Sequence, residues 1–174
     1  MASTGSVSQA KSAKQQFLDV YEREHATTMK VLRAYPQDRA DLQPHPKCKT
    51  AKDLAWMFVL ERGLGKAVLT NQLDQLFKAG PVPAPATFGE VLPALEQAHR
   101  EFGELVASFS DDELNENVTF LVAPHTPGPV RRLDFAWFLL HDQIHHRGQL
   151  SIYLRMAGGT VPSIYGPTAD EPWY

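Results

Sequence analysis

Four long stretches in which apolar residues recur at helical spacing, parted by proline-rich segments, constrain this chain more than anything else in it. The first runs from about Gln15 to Ala34 and sets Phe17, Tyr21, His25, Thr28 and Leu32 on one stripe, which turns His25 inward. It stops before Tyr35-Pro36, because a residue preceding proline avoids helical geometry. After "YPQDRADLQPHPKCK", Thr50 caps a second helix with Asp53 in its first turn, predicted to reach Lys78. Gly63 and Gly65 weaken its middle and predict a bend or a close helix contact there. Beyond "AGPVPAPA", Thr87 and Glu90 form a capping box that opens a third helix through Phe109. "SDDE" starts a short turn, and "VAPHTPGPVRR" is too rich in proline and glycine for regular structure, so it reads as a long crossover loop. The fourth helix spans about Leu133 to Met156 and ends at Gly158-Gly159, followed by an irregular tail packed over the bundle. With no strand alternation, the fold class is all-α, a four-helix bundle with a long loop before its last helix.

At 174 residues the chain has the size of one domain, expected over 15–174 behind a disordered polar tail at 1–14. That tail lacks the pattern of a secretory signal, and no apolar run approaches the roughly 20 residues that span a bilayer. A net charge of −3 supplies no basic field for nucleic acid, which disfavours a DNA-binding role. The single cysteine, Cys48, excludes an internal disulfide and fits a reducing cytoplasm. In its loop, with no neighbouring base specified, Cys48 reads as a bystander thiol.

The chemistry concentrates in "HDQIHHRGQL", residues 141–150. At about 100° per residue, His141, Asp142, His145 and His146 share one sector of the fourth helix with Phe138, Gln149, Ile152, Tyr153 and Met156, while Arg147, Ser151 and Arg155 fall opposite. The polar cluster is thus predicted on the core side, where each unpartnered group costs about 1–3 kcal/mol and calls for a hydrogen-bond network or a cation. His141 with His145, and Asp142 with His146, stand one turn apart, the spacing at which a helix offers two donors to zinc or nickel. A third donor must come from elsewhere, and periodicity supplies His25 and Glu61.

Three segments, "HHRGQLSIYLRMAGGTVPSIYGPTADE", "KTAKDLAWMFVLERG" and "EREHATTMKVL", make nearly the whole chain after the tail resemble the DinB/YfiT-like superfamily, named after DNA-damage-inducible bacterial genes. The resemblance implies a four-helix bundle, often dimeric, whose divalent metal is held by three histidines, one in the second helix and two spaced four apart in the last. It also implies thiol-dependent S-transfer or isomerisation with a low-molecular-weight thiol. The histidine directly before Arg-Gly-Gln in that pattern is His146 here, its partner position holds Asp142, and the second-helix position falls on or beside Met57. Two of the three histidines are therefore replaced, one by a workable carboxylate and one by a soft, weak donor.

Three arrangements remain open: a metal (zinc, nickel or manganese) on Asp142 and His146 completed by His25, Glu61 or water; a shifted site on His141 and His145; or a metal-free pocket. Around any of these, His145 reads as a base transferring protons, Gln149 as its orienting partner, and Gly148 as a point of close helix approach. His99 and His125 read as exposed, and Met57 as core or pocket wall. Two function classes follow. One is a metal-dependent transferase or hydrolase-like enzyme; the other is a non-catalytic dimeric bundle or small-molecule-binding module. A homodimer and a small-molecule ligand are the expected partners.

Overall fold

The computed structural model describes residues 10–174; residues 1–9, on which most of the expected polar tail falls, lie outside the described residues. Helix α1, Ala13–Ala34, starts two residues before the expected Gln15 because the Ser12 hydroxyl accepts from the Gln15 amide and caps it. Its end at Tyr35, with extended backbone ahead of Pro36, follows the proline rule. Helix α2, Ala51–Leu69, opens on Thr50, whose hydroxyl accepts from Asp53 N at 3.1 Å.

The second helix does not run to Lys78. Asn71 takes φ +57, its amide bonds Val68 O, and the Gln72 amide bonds Ala67 O, a left-handed C-terminal stop built on asparagine. The chain resumes as α3, Leu73–Ala79, a separate arm that leans on α2. Gly63 and Gly65 produce no break. A Cβ at Gly63 would meet nothing, whereas one at Gly65 would lie 2.5 Å from the Phe102 ring and 2.7 Å from Leu139, so Gly65 marks a close helix contact.

Helix α4, Val91–Ser108, begins four residues later than Thr87. The Thr87 amide and hydroxyl both donate to the Glu90 carboxylate at 2.7 Å, but no Thr87 bond to a helix amide answers them, so the pair fastens a turn ahead of the helix. The complete capping box belongs to α5, Asp111–Asn115, between Ser110 and Glu113. The expected crossover loop is an antiparallel hairpin, β1 (Asn117–Ala123) and β2 (Thr126–Arg131), turning at Pro124-His125 with His125 at φ +58. Pro127 and Pro129, two apart, set their ring nitrogens along one edge of a two-stranded ribbon, where no donor is missed. Helix α6, Arg132–Met156, closes at Gly158, φ +82, with Gly158 N to Arg155 O and Gly159 N to Leu154 O.

The four long helices α1, α2, α4 and α6 form the bundle. Both α1 and α2 pack against α4 and α6, so the first two long helices lie diagonally across it and α2 borders α6. Two apolar clusters fill its ends, one around Leu32, Phe58, Leu95 and Leu154, the other around Phe17, Leu69, Phe102 and Leu139. Between them runs a buried polar layer: Glu24 and Thr28 of α1, Glu61 and Arg62 of α2, His99 of α4, Gln143 and Arg147 of α6. The tail returns over the bundle, seating Val161, with Asp170 accepting from Val161 N and pairing with Arg155 at 2.6 Å. Among the described residues no helix is long and apolar enough to cross a membrane.

Candidate metal centre

Because α2 borders α6, the polar layer brings Glu61 against the middle of the last helix. The Glu61 carboxylate lies 2.7 Å from His146 Nδ1, Asp142 Oδ1 lies 4.0 Å from the same nitrogen, and one ligand atom from each of the three falls within 4.8 Å of the others. The Asp142 to His146 contact follows from one helical turn; Glu61 arrives by helix packing. Glu61 is 3% exposed, His146 is half-buried, and Asp142 opens toward solvent.

The contacts leave these atoms unsatisfied. Among the described residues no aligned hydrogen bond reaches either Glu61 oxygen or His146 Nδ1, so their 2.7 Å contact is a close ionic approach in poor hydrogen-bond alignment. A buried carboxylate in that condition costs several kcal/mol unless it is neutralised. Burial pushes the Glu61 carboxyl above its ordinary range, against the opposing pull of His146. The Glu61 carboxylate in turn raises His146, with Asp142 adding to the effect. Two carboxylates and one neutral imidazole supply two negative charges and a mixed oxygen and nitrogen donor set, which fits a borderline divalent cation such as zinc, nickel or manganese.

The other sequence candidates lie elsewhere. His25 does not join the group. On the α1/α4 side its ring stacks on His99, centroids 3.6 Å apart and planes 8° apart, because α1 is diagonal to α2. His99 is 4% exposed, not a surface residue, and its Nε2 lies 3.0 Å from Glu22 Oε1. His141 and His145 are exposed, and His145 Nε2 lies 3.0 Å from Gln149 Nε2. Met57 stands one turn before Glu61 in the wall of an apolar hollow. A Cβ on Gly148 would meet nothing, so no helix approaches there.

The predicted orientation of α6 is rotated. Phe138, Ile152 and Met156 are 50%, 61% and 51% exposed, whereas Arg147 is 1% exposed. The buried stripe runs through Ala136, Leu139, Leu140, Gln143, Arg147, Leu150 and Leu154, and it was hidden because charge at Arg147 reads as a solvent face. Arg147 donates to Glu24 Oε2 at 2.7 Å, to Glu24 O at 3.0 Å and to the Tyr165 hydroxyl, which itself donates to Glu24 Oε2 at 2.6 Å. This network ties the C-terminal tail to α1 and α6. On the outer side of His146 lies a cleft of about 510 Å³, lined also by Lys47, Cys48, Lys49, Gln149 and Tyr153.

A model described as the DinB family matches residues 7–173. YrdA of Bacillus subtilis strain 168, an uncharacterised protein, is 31% identical over 160 residues, covering 89% of this chain and 89% of YrdA. A DinB-like protein from Bacillus cereus ATCC 10987 has a similar structure, with TM-score 0.72 and 23% identity over 87% of this chain and 97% of that one. YfiT from Bacillus subtilis, described as a probable metal-dependent hydrolase with an unusual four-helix bundle topology, gives TM-score 0.61 and 16% identity over 89% of this chain and 93% of YfiT.

Proposed function

Since this chain belongs to the DinB family, we propose that it is a divalent-metal-dependent enzyme, a transferase to or from a low-molecular-weight thiol or a hydrolase, with Glu61, Asp142 and His146 as its metal ligands. The observation that carries this reading is the buried Glu61 carboxylate, unpartnered at both oxygens and facing two further donors on α6. The description of YfiT as a probable metal-dependent hydrolase supports the same class.

Bound there, a divalent ion supplies Lewis acidity that lowers the pKa of a thiol or water. The chain's own part is to hold and exclude. Glu61 and His146 come from packed helices and fix two donors in a half-dry wall, while Asp142 leaves the outer side open to a reactant. His145, exposed beside His146 and with its ring held by Gln149 of the cleft wall, carries the proton released by the attacking group. We propose further that it works in the cytoplasm, in keeping with its free Cys48, and as the homodimer that the family resemblance implies.

A second reading, a metal-free binding module, draws on the 2.7 Å approach of Glu61 to His146, which a small rotation of the imidazole would turn into an ion pair that needs no metal. Elemental mass spectrometry on untagged protein after reconstitution and desalting separates the two. About one metal per chain in the wild type, lost in Glu61→Gln and His146→Ala, is the expected result. A folded wild type that stays metal-free after exposure to zinc, nickel and manganese would sink the enzyme reading.

A further inference from the structure

Helix α2 carries apolar residues that the core does not use. Met57 and Leu60 belong to neither apolar cluster, and neither do Leu76, Phe77 and Val82 of the α3 arm and the strand of chain that follows it. They nevertheless face a common hollow of about 390 Å³, with Leu64 at its end. The arm that covers it has no buried residue, and Phe77 is 68% exposed. It is set off by two left-handed residues, Asn71 at φ +57 and Gly80 at φ +77, and pinned where Trp56 Nε1 donates to Val82 O at 3.0 Å.

Among the described residues one charged residue lines this hollow, and it is Glu61. The residue whose carboxylate meets His146 thus also forms part of an apolar wall. No lysine or arginine among the described residues lines the space, so these offer nothing to a phosphate or carboxylate, and its volume lies within the usual range for small-molecule pockets, about 300–1,000 Å³. We propose that the hollow between α2 and the α3 arm is the substrate pocket of the α2/α6 site, and that it receives the uncharged alkyl or aryl group of a small molecule whose reactive end lies at Glu61. The assignment to a substrate rests on the metal reading above; the capacity to bind an apolar group does not.

The experiment titrates the full chain with the neutral fluorophore N-phenyl-1-naphthylamine, in wild type, Met57→Trp and Leu76→Trp, with circular dichroism and metal content measured alongside. Met57 and Leu76 pack in neither core cluster, so filling the hollow leaves the fold intact. Saturable binding, weakened about tenfold by either tryptophan at unchanged helicity and metal content, is the expected result. Equal affinity in all three proteins overturns the proposal. So does a wild type that binds no probe but dimerises, with Met57→Trp breaking the dimer, since a second copy would then cover this face.

A zinc-loaded sample tests the link to the ion. Octanohydroxamate should bind about tenfold tighter than acetohydroxamate, and Met57→Trp should close that gap. Equal affinities would detach the hollow from the metal and overturn its role as a substrate pocket. Probe binding in a protein that takes up no metal would retain an apolar pocket while the metal reading fails, so the two failures are distinguishable.

Discussion

His25 and His99 stack face to face inside the polar layer, and burial holds both at a pKa of about 3. His99 Nε2 donates to the Glu22 carboxylate, which leaves His99 Nδ1 as a buried lone pair without a donor, and His25 Nδ1 is likewise buried without a hydrogen-bond partner among the described residues. The charged groups around them are Glu22, Arg33, Arg62 and Arg100, with Tyr21 stacked on His99, and the arginines add to the cost of a positive charge on either ring. An unfolded histidine titrates near 6.5. Between pH 6.5 and about 3 the unfolded chain therefore binds protons that the folded chain refuses, and stability is lost as the pH falls through that window. The loss is at most about 1.4 kcal/mol per pH unit for each histidine. Urea midpoints at pH 7.5 and pH 5 should thus separate in the wild type and draw together in His25→Phe/His99→Phe, which keeps a stack but removes the titration. An unchanged separation in the double variant would assign acid sensitivity to other groups. The inward turn of His25 was legible in sequence, but its stack on His99, which looks exposed there, was not, because that burial depends on which helix α1 meets. The Asp142 and His146 contact was legible, since one helical turn fixes it, whereas the closeness of Glu61 needed the packing of α2 on α6.

Helix limits were legible wherever a local residue decides them. Tyr35-Pro36 and Gly158 stop α1 and α6 by backbone sterics, and Thr50 starts α2 by side-chain capping. The stop at Asn71 was missed because asparagine tolerates a left-handed backbone less conspicuously than glycine. The β1/β2 hairpin was missed because its prolines fall at alternate positions on one edge. The two glycines of α2 convert this kind of reasoning into a measurement. Gly63→Ala enters open space and should raise stability by about 0.5–1 kcal/mol, the helix-propensity gain alone. Gly65→Ala gains the same propensity but drives its Cβ into the buried Phe102 and Leu139, an overpacking worth about 1–3 kcal/mol, so it should be net destabilising. Urea denaturation of the two variants checks the opposite signs. Two stabilised proteins would mean that α2 does not approach α4 and α6 as closely as Gly65 requires.

Across the whole molecule, the diagonal placement of α1 and α2 decides which polar residues meet, and sequence periodicity carries no trace of it. A stripe shows which face of a helix is apolar but not which helix covers it. That is why His25 and Glu61 were equal candidates in sequence and lie in different groups in the fold. The consequence is that the polar layer interrupts the core. Glu24, Arg147 and Tyr165 satisfy one another within it, whereas Glu61 and His146 do not. An ion held by Glu61 of α2 and by Asp142 and His146 of α6 would cross-link two helices at the point where apolar packing is absent, and it would bind the folded chain alone. Zinc at about 100 times its dissociation constant then adds about 2.7 kcal/mol to folding. For a chain of this size, at about 2–4 °C per kcal/mol, the melting temperature should rise by about 5–10 °C. Glu61→Gln removes the buried charge while keeping the shape, so its melting temperature should not respond to zinc, although it should exceed that of the metal-free wild type. An equal rise in both proteins would place the ion on exposed groups such as His141 and His145, outside the bundle, and leave the polar layer without a metal.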